Sequence, residues 1–471
     1  MKPLIEIIKD GDELRIEDQY EIFRRAYREY NAFITLRDLD DILKEYEEVE
    51  GPLRGLLIPV KDNITTEGIR TTCGSKILSY YIPPYDAYVV RLLKNMGAVI
   101  VGKTNMDEFA MGNTSETSYF GPVYNPWRKD HVPGGSSGGS AVSTALGGYI
   151  SLGSDTGGSV RQPAAYNYVL GYKPTYGLFS RYGLISYADS LEQIGIFSRF
   201  SMDLGYFIYL LSQYDERDST MPRNGKRENL RNRLKRILEG GLDIDPEKIS
   251  IAYSEEMVSL ADESISEKFY DTLNYLEAEG FRIYEIDMKF MKAGLPTYYI
   301  IAMVEASSNL YRYDGIQYGF REDIGDYWRS AYISRSKGFG DEVKRRIIMG
   351  TLLSSKGYEG RYYMKALKLR RWIRDSMQKI FKIYNFILLP TTPSPPPKLG
   401  EAIGPKGYIN DLYTVIPNLT GHPAISIPNG FINGLPIGIQ VIGRWFRDDE
   451  LVIFSRFLEG RIYNPEKVAR G

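Results

Sequence analysis

Residues 133–140 read PGGSSGGS and residues 153–159 read GSDTGGS, so two clusters of glycine and serine stand close together in the chain. Glycine costs backbone entropy and is placed where the chain takes a positive φ or approaches another group closely. The neighbouring serines bring hydroxyl and backbone N–H groups into one small volume. Nucleophilic acyl chemistry needs such a set: an attacking oxygen, a proton acceptor and donors for an oxyanion. The two clusters therefore predict an active site for acyl transfer.

The bulk composition narrows the class of protein. The chain has 471 residues, 43% apolar and 25% charged, which is an ordinary globular composition with enough length for a large core. Its net charge of -1 indicates no general affinity for nucleic acid, so any contact with RNA is expected to be local or made by a partner. The single cysteine, Cys73, excludes an internal disulfide framework and metal clusters built on cysteine.

Targeting signals are not apparent in the sequence. The N-terminus becomes charged too early for a signal peptide, and no apolar run approaches the ~18 residues of a membrane span. We expect a cytoplasmic protein with no membrane contact and no bound metal.

Strand and helix patterns alternate along most of the chain, which predicts an α/β fold. Residues 1–50 predict a layer of helices, clearest over 16–30 and 36–49. Residues 56–60 predict a short buried strand that ends at Lys61. A short helix over 104–111 and a long loop over 112–127 are expected before the first glycine and serine cluster.

Two sequence motifs suggest other chemistries. Residues 97–104, GAVIVGKT, match the phosphate-loop pattern GxxxxGK[ST], which makes a nucleotide-binding module one functional alternative. The four middle residues of this motif favour a β-strand, whereas a phosphate loop must be flexible. The first cluster also matches the GxSxG nucleophile elbow of α/β hydrolases twice, at 134–138 and 135–139. That elbow follows directly on a strand, but here Pro133 precedes it, and its triad would need His422.

The scarcity of histidine, with two in the chain, directs attention to a lysine as the base. Lys61 is the natural candidate because it stands at the end of an apolar strand. Lowering a lysine pKa from ~10.4 to near 7 costs about 4–5 kcal/mol, so such a base must be well buried.

A basic segment at residues 226–236 predicts an amphipathic helix with a solvated face. A contact with RNA or with a partner subunit is the functional alternative for this segment.

The chain resembles the amidase signature family in three places: Lys61 with the following Asp-Asn, the cluster at 134–140, and residues 155–165, DTGGSVRQPAA. The resemblance implies one amidase-signature domain over 1–471, with a large mixed β-sheet flanked by helices on both faces. Residues 1–50 would form its N-terminal helical layer and residues 51–471 its catalytic core.

The same resemblance implies a triad of a serine, a second serine on a cis peptide bond, and a lysine. Ser159 would be the acyl-forming nucleophile, Ser136 the bridging serine, and Lys61 the base that takes the proton through Ser136. The oxyanion donors would be the backbone N–H groups of Thr156, Gly157, Gly158 and Ser159.

Further segments, including 106–112 (MDEFAMG), 173–177 (KPTYG) and 342–347 (EVKRRI), are similar to the glutaminase subunits of tRNA-dependent amidotransferases within this family. This implies release of ammonia from glutamine, used to convert misacylated Glu-tRNA(Gln) or Asp-tRNA(Asn). It also implies a heterotrimer with B and C subunits, in which ATP, Mg²⁺ and the tRNA are bound chiefly by the B subunit, while this chain needs no cofactor. A free-standing amidase acting on small carboxylic amides is the alternative.

Glutamine must be held at its α-carboxylate and its α-amino group, which calls for one cation and one anion. The resemblance assigns the carboxylate to Arg346, the ammonium to Asp411 and a further contact to Tyr298. The choice of Arg346 over Arg345 rests on the resemblance alone, and the alternative role of Asp411 is to cap a helix N-terminus.

Overall fold

An eleven-stranded mixed sheet lies at the centre of the computed structural model, which describes residues 2–241, 243–355 and 361–469. Its strands are β1 (Phe33–Leu36), β2 (Leu57–Lys61), β3 (Val99–Thr104), β4 (Ile150–Asp155), β5 (Leu170–Lys173), β6 (Gln193–Ser198), β7 (Ser250–Tyr253), β8 (Arg282–Glu285), β9 (Phe386–Pro390), β10 (Ala424–Ile432) and β11 (Leu435–Ile442). Across the sheet they follow the order β1-β3-β2-β4-β6-β5-β10-β11-β9-β7-β8.

Helices surround this sheet. In the N-terminal half they are α1 (Leu4–Asp10), α2 (Ile16–Tyr30), α3 (Leu39–Glu48), α4 (Tyr88–Lys94), α5 (Gly138–Ala145), α6 (Arg161–Asn167), α7 (Ser201–Leu211) and α8 (Lys226–Leu238). In the C-terminal half they are α9 (Glu255–Val258), α10 (Glu263–Ala278), α11 (Gly294–Asn309), α12 (Tyr327–Gly338), α13 (Asp341–Ser354), α14 (Arg361–Ile380), α15 (Val415–Thr420) and α16 (Asp448–Leu458). The predicted mixed α/β fold is confirmed.

The middle strands of the sheet are buried along their whole length. Every residue of β2, β3, β4 and β6 is buried, as expected for strands covered on both faces. Strand β2 runs parallel to both of its neighbours, β3 and β4, so the carboxyl ends of these three strands meet at one edge of the sheet.

The first 50 residues are not purely helical, so that prediction is wrong at one place. Residues Phe33–Leu36 form β1, which pairs antiparallel with β3 and joins the same sheet as the rest of the chain. Asn31, in the left-handed region at φ 51°, ends α2 and turns the chain into β1. A run of four strand-forming residues is too short to stand out between two strongly periodic helices.

The predicted helix over 104–111 is also wrong. Residues Glu108–Ala110 form a 3₁₀ turn in which Phe109 has φ 50° and Ala110 has φ 60°. Two successive residues in the left-handed region cannot continue a right-handed helix.

The phosphate-loop motif at 97–104 lies mostly within β3 and is therefore a strand rather than a loop. The Lys103 side chain is fully buried, and its Nζ donates to the Ile64 carbonyl and, at 2.7 Å, to Thr71 Oγ1. The lysine thus serves the core, and the segment offers no cradle for a phosphate.

Among the residues that the structure describes, no helix combines the length and the apolar character needed to cross a membrane.

Candidate active site

Two parallel strands bring the base and the second cluster together. Lys61 is the last residue of β2, and Ser154 and Asp155 are the last residues of β4. The two strands pair at Val60 and Leu152, so their carboxyl ends lie side by side. Side chains from residues more than 90 positions apart therefore meet at one edge of the sheet.

The Lys61 amine is fully buried and held by serine oxygens. Its Nζ lies 2.7 Å from Ser136 Oγ, 2.9 Å from Ser154 Oγ and 3.3 Å from the Ser154 carbonyl oxygen. Burial lowers the pKa of Lys61 to about 7, although the negative charges of Asp107 and Asp155 act in the opposite direction. A substantial share of these amines is therefore neutral near pH 7 and able to accept a proton.

Ser136 follows a cis peptide bond, Gly135–Ser136, the isomer that the sequence resemblance implies. The Ser136 carbonyl accepts from the Asp107 N–H at 3.2 Å, and the Gly135 N–H donates to Gln162 Oε1 at 2.9 Å. A Cβ on Gly135 would lie 2.1 Å from Asp107 Oδ2, so the site tolerates no side chain there. These contacts fix the Ser136 hydroxyl against Lys61.

Asp155 shapes the second cluster into a tight loop ahead of α6. Its carboxylate accepts from the N–H groups of Gly158 at 3.0 Å and Val160 at 3.1 Å, and it pairs with the Arg161 guanidinium at 2.8 Å. Burial favours the neutral acid, but the charge and hydrogen bonds of Arg161 outweigh it and hold the pKa of Asp155 at about 2. This buried ion pair was missed in the sequence, where both residues read only as part of the motif.

The Ser159 hydroxyl is the free group of the cluster. Ser159 is 7% exposed, and its Oγ makes no hydrogen bond to any described residue. Its carbonyl accepts from the Ser137 N–H at 3.2 Å, which ties the two clusters together. A hydroxyl that is nearly buried, unpaired and close to a proton relay is suited to attack a bound carbonyl.

The four predicted oxyanion donors are not equivalent. The Gly158 N–H already donates to Asp155, so it is not available to a substrate oxygen. The N–H groups of Thr156, Gly157 and Ser159 have no acceptor among the described residues. A Cβ on Gly157 would lie 2.4 Å from Tyr298 Cζ, and one on Gly158 would lie 2.2 Å from Thr414 Oγ1, which explains both glycines.

Arg346 lies inside an aromatic enclosure, whereas Arg345 does not. The Arg346 side chain is 4% exposed, and its guanidinium carbon lies 5.4–5.5 Å from the ring centroids of Tyr187, Tyr299 and Tyr408. Its Nε donates to Glu342 at 2.8 Å and its Nη1 to the Tyr187 hydroxyl at 2.6 Å. The Arg345 side chain is 42% exposed and pairs with the other Glu342 oxygen.

Asp411 is buried at the end of a 3₁₀ segment, Gly404–Asp411, and does not cap a helix with its side chain. Its carboxylate accepts from the Tyr299 hydroxyl at 2.6 Å and from Asn113 Nδ2 at 3.3 Å. Burial raises the pKa of Asp411 to about 6. The carboxylate is therefore mostly ionised at pH 7 and available to an ammonium group.

A stacked tyrosine pair connects the cationic and anionic ends. The rings of Tyr299 and Tyr408 stack with centroids 3.9 Å apart. The Tyr299 hydroxyl donates to Asp411, and the Tyr408 hydroxyl donates to Glu342 at 2.8 Å, which in turn holds Arg346. None of Tyr299, Tyr408 and Glu342 was identified from the sequence, because no local pattern separates them from ordinary core residues.

The charged enclosure is joined to the serine clusters. Thr414 Oγ1 donates to the Gly157 carbonyl at 2.6 Å and lies 3.3 Å from the Asp411 carbonyl. Tyr298 lies directly against Gly157. All of the predicted site residues are therefore parts of one connected region.

The histidines take no part in this region. His422 contacts Thr420 and Gln378 and stacks on Trp445, while His131 contacts Asp130. The segment before Ser136 is not a strand, so the hydrolase elbow has neither its geometry nor its histidine. No group of three or more metal-binding side chains of His, Cys, Asp and Glu is found in the described parts of the chain.

Comparison with known proteins gives a consistent assignment. The chain matches the family model described as Amidase over residues 28–452. It is 47% identical over 478 residues to a Sulfolobus acidocaldarius protein named as the A subunit of glutamyl-tRNA(Gln) amidotransferase, covering 98% of this chain and 99% of that protein. An Archaeoglobus fulgidus protein of the same name is 46% identical over 441 residues, covering 92% of both.

Solved structures show the same fold. The crystal structure of the A subunit of glutamyl-tRNA(Gln) amidotransferase from Thermotoga maritima superimposes with a TM-score of 0.81 and 36% identity, covering 100% of this chain and 98% of that one. A 6-aminohexanoate cyclic dimer hydrolase superimposes with a TM-score of 0.83 at 22% identity, covering 100% of this chain and 98% of that one, which supports the fold alone.

Proposed function

This chain belongs to the amidase family, and we propose that it is the glutaminase subunit of a tRNA-dependent amidotransferase. In this role it hydrolyses glutamine and supplies ammonia for converting misacylated Glu-tRNA(Gln) or Asp-tRNA(Asn). The observation that carries the choice of glutamine is the buried pair of opposite charges, Arg346 and Asp411, beside the serine clusters. A small lipophilic amide needs neither charge, whereas an α-amino acid needs both.

The arrangement of Lys61, Ser136 and Ser159 supports a proton relay. Neutral Lys61 takes the proton of the Ser136 hydroxyl, and Ser136 takes that of Ser159, whose Oγ attacks the amide carbon. The N–H groups of Thr156, Gly157 and Ser159 bind the oxygen that becomes negative, a type of contact worth about 10²–10³ in rate per donor. The protonated lysine then returns its proton through Ser136 to the leaving nitrogen, and ammonia departs.

Water completes the cycle. With ammonia gone, Ser159 carries the glutamyl group as an ester, and the neutral lysine is restored. The relay then removes a proton from a water molecule, which attacks the ester carbon and releases glutamate. The nucleophile therefore works twice with one base.

Substrate recognition divides between the two charges. Arg346 Nη2, which has no hydrogen bond within the described residues, points to the α-carboxylate as its ligand, and Asp411 to the α-ammonium. Tyr298 lines the site where it meets Gly157. The assembly that uses the ammonia is a heterotrimer with B and C subunits in the cytoplasm, where the B subunit binds ATP, Mg²⁺ and most of the tRNA. The names of the close relatives support this placement.

The test separates the two half-reactions of the assembled complex. Ser159→Ala is expected to abolish transamidation with glutamine and to leave transamidation with ammonium chloride intact. Ser143→Ala, which removes a buried α5 hydroxyl bonded to the Gly139 carbonyl, is the matched control and retains both activities. Continued use of glutamine by Ser159→Ala would refute the assignment of the nucleophile. Robust hydrolysis of small aryl amides by the isolated chain, without B and C subunits, would favour the free-standing amidase.

A further inference from the structure

An open cleft of about 540 Å³ lies away from the proposed active site, beside α14. Arg370, Arg371 and Arg374 of α14 line it together with the aromatic residues Trp445 and Phe446. Neither the serine clusters nor the charged enclosure contributes a side chain to it. The proposed glutaminase reaction therefore gives this cleft no role.

The three arginines carry more positive charge than their surroundings neutralise. Arg370 is fixed, since it donates to the Leu419 carbonyl and to the hydroxyl and carbonyl of Ser190. Arg371 and Arg374 have one carboxylate between them, Asp375, at 3.7 Å and 3.2 Å. The Arg371 side chain is 78% exposed. Two guanidinium groups thus face solvent with half the negative charge that they need.

The whole of α14 continues this basic surface. Residues 361–382 contain eight lysines and arginines and one acidic residue, in a chain whose net charge is -1. The exposed cations of the helix recur every three to five residues, at Arg361, Lys365, Lys368, Arg371, Arg374 and Lys379. The 20 residues of α14 extend over about 30 Å, so neighbouring charges lie roughly 5–8 Å apart along the helix.

A second basic helix borders the cleft on the side of Phe446. Lys226 Nζ of α8 lies 6.0 Å from the Phe446 ring, and Arg233 of the same helix donates to the Phe446 carbonyl at 2.7 Å. Arg227, Arg231 and Arg233 are engaged within the chain, whereas Lys226, Lys235 and Arg236 are exposed. The basic segment seen in the sequence is therefore partly structural and partly a border of this cleft.

We propose that the cleft and the exposed basic face of α14 bind an RNA strand. A row of cations about 30 Å long fits a chain of phosphates, whereas a free nucleotide would occupy the cleft alone. The aromatic rings of Trp445 and Phe446 offer surfaces on which unpaired bases stack, in the combination of cationic groove and aromatic platform used for single-stranded nucleic acid. The proposal adds an RNA contact on this chain to the one expected on the B subunit.

The experiment measures RNA binding by the full-length chain. Binding of a fluorescein-labelled 20-nucleotide single-stranded RNA and of a tRNA transcript is followed by anisotropy between 50 and 200 mM KCl. Arg371→Glu/Arg374→Glu is expected to raise Kd at least tenfold. The slope of log K against log salt should fall by about 1.4, since each phosphate contact contributes about 0.7 on single strands.

A matched double variant controls for net charge. Lys44→Glu/Lys248→Glu changes the charge equally, and both lysines are highly exposed with an aspartate three residues away. It is expected to bind RNA within twofold of the unmodified chain. Glutamine hydrolysis should be unchanged in both variants, which reports that the fold is intact.

Four results would overturn the proposal. The first is a chain that binds neither RNA with a salt-dependent affinity. The second is an equal loss in the control variant. The third is full competition by AMP at the affinity of the RNA, which would make the cleft a mononucleotide site. The fourth is unchanged RNA binding by Arg371→Glu/Arg374→Glu together with lost binding of the B or C subunit, which would make the cleft a protein interface.

Discussion

A single buried amine governs the pH response of the proposed reaction. Lys61 acts as a base only when neutral, and its pKa is about 7 because burial disfavours the charged form. We predict that kcat/KM for glutamine rises as pH increases through about 7 and then levels off. Lys61→Met, which keeps the apolar stem and removes the amine, should lower kcat by about 10²–10⁴ and abolish the rise.

The measurement is glutamine hydrolysis from pH 5.5 to 9. Ser143→Ala, whose hydroxyl lies outside the relay, should keep the profile of the unmodified chain. A flat profile for the unmodified chain, or a rise that survives in Lys61→Met, contradicts the role given to this amine.

Two adjacent arginines differ in what they can bind. Arg346 is enclosed by three tyrosines and oriented by Glu342, while Arg345 is largely outside. A lysine cannot reproduce the planar fork that holds a carboxylate. Arg346→Lys should raise KM for glutamine about 10–100-fold, and Arg345→Lys should change it less than threefold. Steady-state kinetics check both, and equal effects of the two variants would show that Arg346 is not the carboxylate ligand.

At the scale of elements, the loop between β4 and α6 depends on one ion pair. Asp155 and Arg161 are both fully buried, and Asp155 also fixes the backbone of the loop that carries Ser159. Removing one member of a buried pair leaves an uncompensated charge and costs about 3–5 kcal/mol. Arg161→Met should therefore lower the free energy of unfolding by about that amount.

Urea unfolding measures this loss. Arg444→Met is the comparison, because Arg444 is 32% exposed and its pair with Glu450 is partly solvated, so we expect a loss of about 1 kcal/mol or less. A loss in Arg161→Met no larger than that of Arg444→Met would mean that the buried pair does not stabilise the loop.

The elements that the sequence predicts well are those with a strong local signal. Strand β2 is a short apolar run that ends at a charge, and α2 has a clear helical period that matches the observed bounds. Strands β5 (LGYK) and β6 (QIGIFS) were not predicted, because they combine glycine and polar residues that become buried only when neighbouring strands cover them. The same limit explains β1 and the 3₁₀ turn at Phe109.

The candidate site divides in the same way. The positions of Lys61, Ser136 and Ser159 follow from motifs that are contiguous in the chain. The enclosure around Arg346 does not, because Tyr187 lies 159 positions from Arg346 and Asn113 lies 298 positions from Asp411. Only the folded chain shows that Tyr299 and Tyr408 stack, or that Asp155 occupies the Gly158 N–H.

At the scale of the whole molecule, the N-terminal 50 residues are part of the main structure. Phe23 and Phe33 pack in one buried cluster with Val99 and Val101 of β3 and Val142 of α5. The Ala32 carbonyl also accepts from the Asn105 N–H at 2.8 Å. Removing this layer would expose β3 and the helix that follows the first serine cluster.

We therefore predict that a chain beginning at residue 51 is insoluble or lacks a cooperative thermal transition. Supplying residues 1–50 as a separate polypeptide should restore a soluble, cooperatively unfolding complex, because no covalent link is needed for the packing. Calorimetry and gel filtration report both. A cooperative transition of the truncated chain alone, at the temperature of the full chain, would show that the layer is dispensable.

The spacing of the site residues along the chain has a consequence during synthesis. A ribosome delivers Lys61, Ser136 and Ser159 in the first third of the polypeptide, but Arg346 and Asp411 emerge much later. Until residue 411 has left the exit tunnel, the nascent chain carries a nucleophile without the charges that recruit glutamine. An unfinished or prematurely terminated product thus cannot drain the cellular glutamine pool, and competence arrives only near the end of translation.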